Sequence, residues 1–288
     1  MLAGGHTGWM DVRLPLGPLA GPLGRDLRAC ALRDAAAFVG VPPGPDEPAV
    51  TDDDLADLPE PARRYLHFMG VVGRRRDWSF LVRFTGRFQR PGQSWMPCDA
   101  WQFNANRPIT RLFHMRIDVA RIVPMTGRDA YAEGTGSMRG KVLGLVTVAD
   151  GAGPEFDLGE LVTYLNDALA LAPSMLLDGS CTWVAVDDDT FGVTLTDRDH
   201  AVSGQVTVDE RGAMVDFATE DRWCDLPDGL VRARWTTPFP DWAEVDGRPW
   251  PGPGGAVWHL PEGPLPYIEG TFDATSIVRN VLPADLLG

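Results

Sequence analysis

From Trp78 onward, hydrophobic and polar residues alternate with a period of two. In "WSFLVRFTGRF", Phe80, Val82 and Phe84 fall on one side and Leu81, Arg83 and Thr85 on the other, as in a half-buried strand. "MPCDAWQFNA" and "TRLFHMRIDV" repeat the pattern. "RDAYAEGTGSMRGKVLGLVTVAD" holds two more strands, with glycines that permit bends or close backbone approach. Further on, "TWVAV", "TFGVTLT", "HAVSGQVTV" and "AMVDFATEDRW" succeed one another across turns rich in Asp and Gly, which reads as a meander of hairpins. "DWAEV" and "RPW" flank Asp246 and Gly247, a hairpin signal, and "AVWHL" and "PYIEGTFDATSIV" supply closing strands. About nine or ten antiparallel strands are expected.

One segment breaks the period. "GELVTYLNDALALAPSMLL", turned at about 100° per residue from Glu160, gathers Leu161, Leu165, Ala168, Leu169 and Ala172 on one side. Glu160, Thr163, Tyr164 and Asp167 fall on the opposite side, with Asn166 at the border. The residue before a proline is driven out of helical φ/ψ, so a helix over 157–172 should end ahead of Pro173. Its leucines cover one face of a sheet. Its polar side either faces solvent or lies across a curved sheet and points into a cleft. Strands with one inserted long helix make an α+β fold.

The first fifty residues form a separate zone. Gly/Pro-rich sequence leads to a helix candidate from Arg25 to Phe38, followed by the proline-rich "VPPGPDEPAVTDDD", an extended linker. The chain is therefore divided into an extension, 1–50, and a sheet domain with its helix, 51–288. In "LADLPEPARRYLHFMGV", Pro59 and Pro61 suit a helix start and Gly70 a stop.

Composition narrows the chemistry. A net charge of −14 repels phosphate backbones and anionic membrane surfaces. The single lysine, Lys141, restricts Schiff-base chemistry to that residue or the amino terminus. Four scattered cysteines and five histidines offer no metal-ligand spacing. "GTGSMRG" is not a phosphate-binding P-loop, and neither a G-x-S-x-G elbow nor H-E-x-x-H occurs. A metal- and nucleotide-independent protein without cofactor is expected. The amino terminus lacks a positively charged stretch followed by an unbroken apolar core, and no run of apolar residues is long enough to span a bilayer. A cytoplasmic address follows as the expectation.

Several longer stretches carry a resemblance. "GELVTYLNDALALAPSMLLDGSCTW" fits E-x-V-T-x-x-N-D-x-x-x-x-A-P, "DFATEDRW" ends in D-R-[YW], and "VWHLPEGPLPY" contains W-H-x-P-E-G-x-x-x-Y. In order and spacing these resemble a family of uncharacterised bacterial proteins, over roughly Trp78 to Asn280. That family in turn resembles the bacterial lipoprotein carriers of the LolA and LppX type. The resemblance implies a strongly curved antiparallel sheet, a half-barrel, with a long helix packed on its concave face. It also implies an apolar ligand held between the two. The matched positions are Glu160, Thr163, Asn166, Asp167 and Pro173, then Asp221 and Arg222, then Trp258, His259, Glu262 and Tyr267.

Candidate chemistry gathers on these elements. Asp167, Asp221 and Tyr131 are candidate acid–base groups, since a carboxyl in an apolar pocket can keep its proton near neutral pH. Thr163, Tyr164, Asn166, Arg222, Trp183, Trp223, Trp258 and Tyr267 are candidate ligand-binding residues. Each has a plainer alternative. Asp beside Arg is often a surface ion pair, His114 and His259 fit structural roles on strands, and ten tryptophans also suit packing under a thin helix layer. Two functions stay open. One is binding of a hydrophobic small molecule or lipid-like metabolite. The other is a cofactor-independent cyclase or isomerase of apolar, natural-product-like substrates working in the same cavity.

Overall fold

The computed structural model describes residues 27–286 except 45, 120–122 and 144. The Gly/Pro-rich start, with Arg25 and Asp26 of the first helix candidate, lies outside the described residues. Helix α1 spans Leu27–Phe38 and α2 spans Glu60–Phe68. Pro61 occupies the first turn of α2, where no N–H is needed, and Gly70 at φ 63° follows its last turn.

Six strands then run back and forth: β1 (Ser79–Phe88), β2 (Met96–Asn106), β3 (Ile109–Val119), β4 (Val123–Ala132), β5 (Thr135–Val142) and β6 (Val146–Ala152). Helix α3 (Pro154–Leu171) interrupts them. The second set comprises β7 (Cys181–Ala185), β8 (Thr190–Asp197), β9 (His200–Val208) and β10 (Met214–Thr219). A separate hairpin, β11 (Trp223–Leu226) and β12 (Gly229–Arg232), precedes β13 (Arg234–Pro238). A second, β14 (Trp242–Val245) and β15 (Arg248–Pro251), precedes β16 (Gly254–Leu260), β17 (Gly263–Phe272) and β18 (Val278–Arg279). Asp246 and Gly247 both have positive φ, 51° and 68°, as the expected two-residue Asp-Gly hairpin requires.

The main sheet follows the order β6-β5-β4-β3-β2-β1-β17-β16-β13-β10-β9-β8-β7, with β18 also pairing β1. Strand β17 returns to β1 and welds the two meanders together. Thirteen strands lie along this path, more than the nine or ten expected. The stretch 123–152 folds as three strands, not two. Strand β13 escapes notice because Trp235, Thr236 and Thr237 are all buried, leaving no alternation to read.

The sheet curls around α3. The helix touches β5 and β6 near one end of the order and β9 and β10 near the other. Strands β5 and β9 stand nine places apart, which would be about 43 Å in a flat sheet at about 4.8 Å per strand. The curl also brings the turns together: His200 Nε2 lies 3.0 Å from the Gly134 carbonyl. Where β1 meets β17, Gly86 pairs with Gly270, and a Cβ on Gly86 would sit 2.0 Å from the Glu269 carbonyl oxygen. Bare backbone lets the strands approach there.

Enclosure changes the reading of α3. Glu155 and Asp157 in its first turn suit the positive end of the helix, and Ala172 leaves helical geometry before Pro173 as expected (φ −152°, ψ 60°). Leu161, Leu165, Ala168 and Leu169 are fully buried. The opposite side is buried as well: Glu160 and Asp167 are each 6% exposed and Tyr164 is 0%. From Gly159 onward the helix is buried on both sides, with only Thr163 partly exposed.

Helix α1 packs on the other face of the sheet. Its Leu32 and Ala35 meet Leu81, Phe103 and Leu112, whereas Arg111 and Phe113, one residue to either side of Leu112, point toward α3. Strands β1 to β3 are thus covered twice. Among the described residues, no helix is long and apolar enough to cross a membrane.

Candidate ligand cavity between α3 and the curled sheet

Where α3 crosses the sheet, a cavity of about 280 Å³ is left open. Its walls are mostly apolar and aromatic, with Phe84, Phe113, Met115 and Phe272 from the first meander and Trp235, Trp258 and Tyr267 from the second. Polar side chains complete the lining, among them Arg111, Asp129, Glu160, Asp167 and Arg222.

Glu160 and Asp167 are seven residues apart, two helical turns, so they share one face of α3. Arg111 of β3 reaches both. Its Nε donates to Asp167 Oδ2 at 2.7 Å and its Nη1 to Glu160 Oε2 at 2.8 Å, with all three side chains less than a tenth exposed. Burial works against the Arg111 charge, but the two carboxylates outweigh it and hold its pKa above the ordinary arginine value. Burial raises Asp167 above the usual carboxylate range, although Arg111 opposes the shift.

Asp129 of β4 faces the same space. Its Oδ1 is buried without a hydrogen-bond partner, and what surface the side chain exposes opens on the cavity. Burial, reinforced by the Glu160 charge, pushes its pKa up to about 7 against the pull of Arg111 and Arg222. Asp129 is therefore a carboxyl that carries a proton through much of the neutral range.

Arg222 enters from the turn between β10 and β11. Its guanidinium carbon lies 4.4 Å from the ring centre of Trp235 and 5.3 Å from that of Trp258. Its Nε and Nη1 are buried with no hydrogen-bond partner. Trp235 Nε1 donates to the Tyr267 hydroxyl at 3.2 Å, and the Trp258 and Tyr267 rings stack at 6.0 Å. Thr237 donates its hydroxyl proton to Asn166 Oδ1 at 2.6 Å, fastening α3 to β13.

The sequence candidates divide into two groups. Thr163, Asn166, Asp167, Arg222, Trp223, Trp258 and Tyr267 all line the cavity. Asp221, Tyr131, Tyr164 and Trp183 do not. Asp221 turns away from Arg222; its Oδ1 accepts from Arg232 Nη2 at 2.7 Å and its Oδ2 from the Ser203 amide at 2.9 Å. Tyr131 is fully buried and donates to Asp197 Oδ2 at 2.7 Å, near the meeting turns. Tyr164 packs into the main core with its hydroxyl unpartnered. Trp183 lies against Phe191, ring centres 5.5 Å apart. His114 and His259 point elsewhere: His114 is 3.1 Å from Asp34 under α1, and His259 is exposed beside Thr236.

Arg111 and Asp129 are the site residues that motif reading passed over. Their signal was phase. In "TRLFHMRIDV" Arg111 alternates in step with Phe113, Met115 and Ile117, so a charge occupies an apolar register. Among the described residues, no group of three His, Cys, Asp or Glu side chains is placed to hold a metal ion.

Three solved structures are similar to this chain, each with a TM-score of 0.40. One is an outer membrane lipoprotein-sorting protein domain from Vibrio parahaemolyticus, 10% identical, with 72% of this chain and 88% of that one covered. Another is a LolA superfamily protein from Nitrosomonas europaea, 12% identical, covering 83% and 98%. The third is a DUF1329 family protein from Desulfovibrio piger, 10% identical, covering 71% and 87%. No curated protein matches the chain. The model of a family described as "Family of unknown function (DUF6544)" matches residues 48–270, from before α2 into β17. With more than three quarters of its length inside that match, the chain belongs to the DUF6544 family.

Proposed function

We propose that the protein binds a hydrophobic small molecule or lipid-like metabolite in the cavity between α3 and the curled sheet. The observation that carries this reading is the cavity itself: about 280 Å³, walled by aromatic and aliphatic side chains around a few convergent polar groups. Small-molecule sites have this composition, apolar for affinity and sparingly polar for orientation. A fully packed fold would have spent Phe113, Met115 and Phe272 on contacts with α3. Here they line open space.

The test uses the protein's own reporters, since Trp223, Trp235 and Trp258 line the cavity. Titration with an uncharged amphiphile such as decanol should change tryptophan emission and saturate. Thr163→Phe, which fills the space from α3, should abolish the response in a protein that still melts cooperatively. Binding by Thr163→Phe equal to that of the wild type would remove the cavity as the site.

A second reading, a cofactor-independent isomerase or cyclase of apolar substrates, draws on Asp129. A carboxyl with its pKa pushed up to about 7 in a mostly apolar cavity is suited to donate a proton to an alkene or carbonyl and recover it elsewhere. Turnover lost in Asp129→Asn, with binding of the same compound preserved, would favour this reading over carriage alone.

A further inference from the structure

We propose that the cavity selects amphiphiles bearing a single carboxylate, and that Arg222 takes this head group. The inference rests on the binding reading above and adds the chemical class of the ligand.

Three guanidinium groups line the cavity, and they differ in what surrounds them. Arg90 lies beside the Asp225 carboxyl. Arg111 is saturated by Asp167 and Glu160. Arg222 has buried Nε and Nη1 donors that meet no acceptor. An arginine cannot shed its proton to relieve this, and buried N–H donors without acceptors are costly. The faces of Trp235 and Trp258 steady the positive charge. They offer no oxygen to its N–H groups. A ligand oxyanion would supply what the fold leaves out, and a planar guanidinium matches a carboxylate in shape.

Charge selects among oxyanions. Besides Arg222, the charged lining holds Arg111 against Glu160 and Asp167, Arg90 beside Asp225, and the carboxyls of Asp129 and Glu155. Carboxyls outnumber guanidinium groups in this lining, so a ligand with one negative charge at Arg222 meets less repulsion than one with two. A phosphate monoester, with nearly two charges at neutral pH, would place surplus negative charge beside Glu160, Asp167 and Asp129. The unpartnered Oδ1 of Asp129 adds a second reason. In its protonated form that carboxyl can donate to the ligand's other oxygen while Arg222 holds the first. The apolar walls then receive the chain.

The experiment compares decanoate, decanol and decyl phosphate by tryptophan fluorescence at pH 7. A charge-assisted hydrogen bond in a buried site predicts that decanoate binds about tenfold to a hundredfold more tightly than decanol. Decyl phosphate should bind more weakly than decanoate. Arg222→Met should bring the decanoate-to-decanol ratio near one, and Arg222→Lys, which keeps the charge but loses the planar fork, should retain part of it. Equal wild-type affinity for decanoate and decanol overturns the proposal and leaves the binding reading standing, a result that needs no variant to fold. A phosphate preference, or an unchanged ratio in Arg222→Met, also overturns it. If neither decanol nor decanoate binds the wild type, the binding reading falls and this inference falls with it.

Discussion

Arg111→Met is the sharpest probe of the structure. The substitution keeps the length of the side chain and removes the cation shared by Asp167 and Glu160, bonded at 2.7 and 2.8 Å. Both carboxylates are 6% exposed, so neither can turn to water. Breaking a buried ion pair by deleting one partner costs about 3–5 kcal/mol, because the survivor keeps its desolvation penalty without its compensation. At about 2–4 °C per kcal/mol for a domain of comparable size, the melting temperature should fall by roughly 6–20 °C. Thermal melts at pH 7.5 followed by near-ultraviolet circular dichroism measure it.

The pH dependence of this loss has a definite sign. Without Arg111 the burial that raises Asp167 loses its main opposition, so this acid holds its proton more tightly when folded than when unfolded and stability falls as pH rises. The deficit should therefore shrink on acidification, as Asp167 becomes neutral. Combining Arg111→Met with Glu160→Gln and Asp167→Asn removes every charge of the triad and should recover most of the lost stability at neutral pH. A loss below about 1 kcal/mol for Arg111→Met, or a triple variant no more stable than the single one, would refute the triad as a buried electrostatic unit.

Two further substitutions test its surroundings. The Asp129 carboxyl is pushed up to about 7 in the fold from an ordinary value of 3.8, so its stability contribution is present below the lower value and is lost as pH rises through the higher. Asp129→Asn cannot ionise; its stability advantage over the wild type in urea denaturation should grow from pH 4 to 7 and then level off, and a pH-independent difference would contradict the assignment. Gly136→Ala would place a Cβ 2.1 Å from the Phe156 carbonyl oxygen, where the start of α3 presses on β5. Overpacking against backbone should cost about 1–3 kcal/mol, read as a lowered urea midpoint at unchanged slope, and a loss under about 0.5 kcal/mol would mean that α3 is free to shift.

Much of the architecture was legible in the chain. Period-two segments identified β1 to β3 and the hairpins after α3, because successive side chains of a strand point to opposite faces whatever its neighbours do. Proline and glycine chemistry located the start of α2, the end of α3 at Ala172 and the turn at Asp246 and Gly247, since those signals act within a few residues. The seven-residue spacing of Glu160 and Asp167 already placed them on one helix face. That face met a buried arginine and not water, and this was beyond any local pattern. Periodicity says which residues share a side; it is silent on how tightly a sheet curls or what it encloses. Only the curl, joining strands nine places apart around one helix, sets Arg111 and Asp129 against α3 and swings Arg222 inward while its neighbour Asp221 turns out to Arg232. Such convergence depends on long-range pairing and on the close approach that Gly86, Gly136 and Gly270 permit. The elements follow from short-range chemistry, and the site exists only once they are wrapped together.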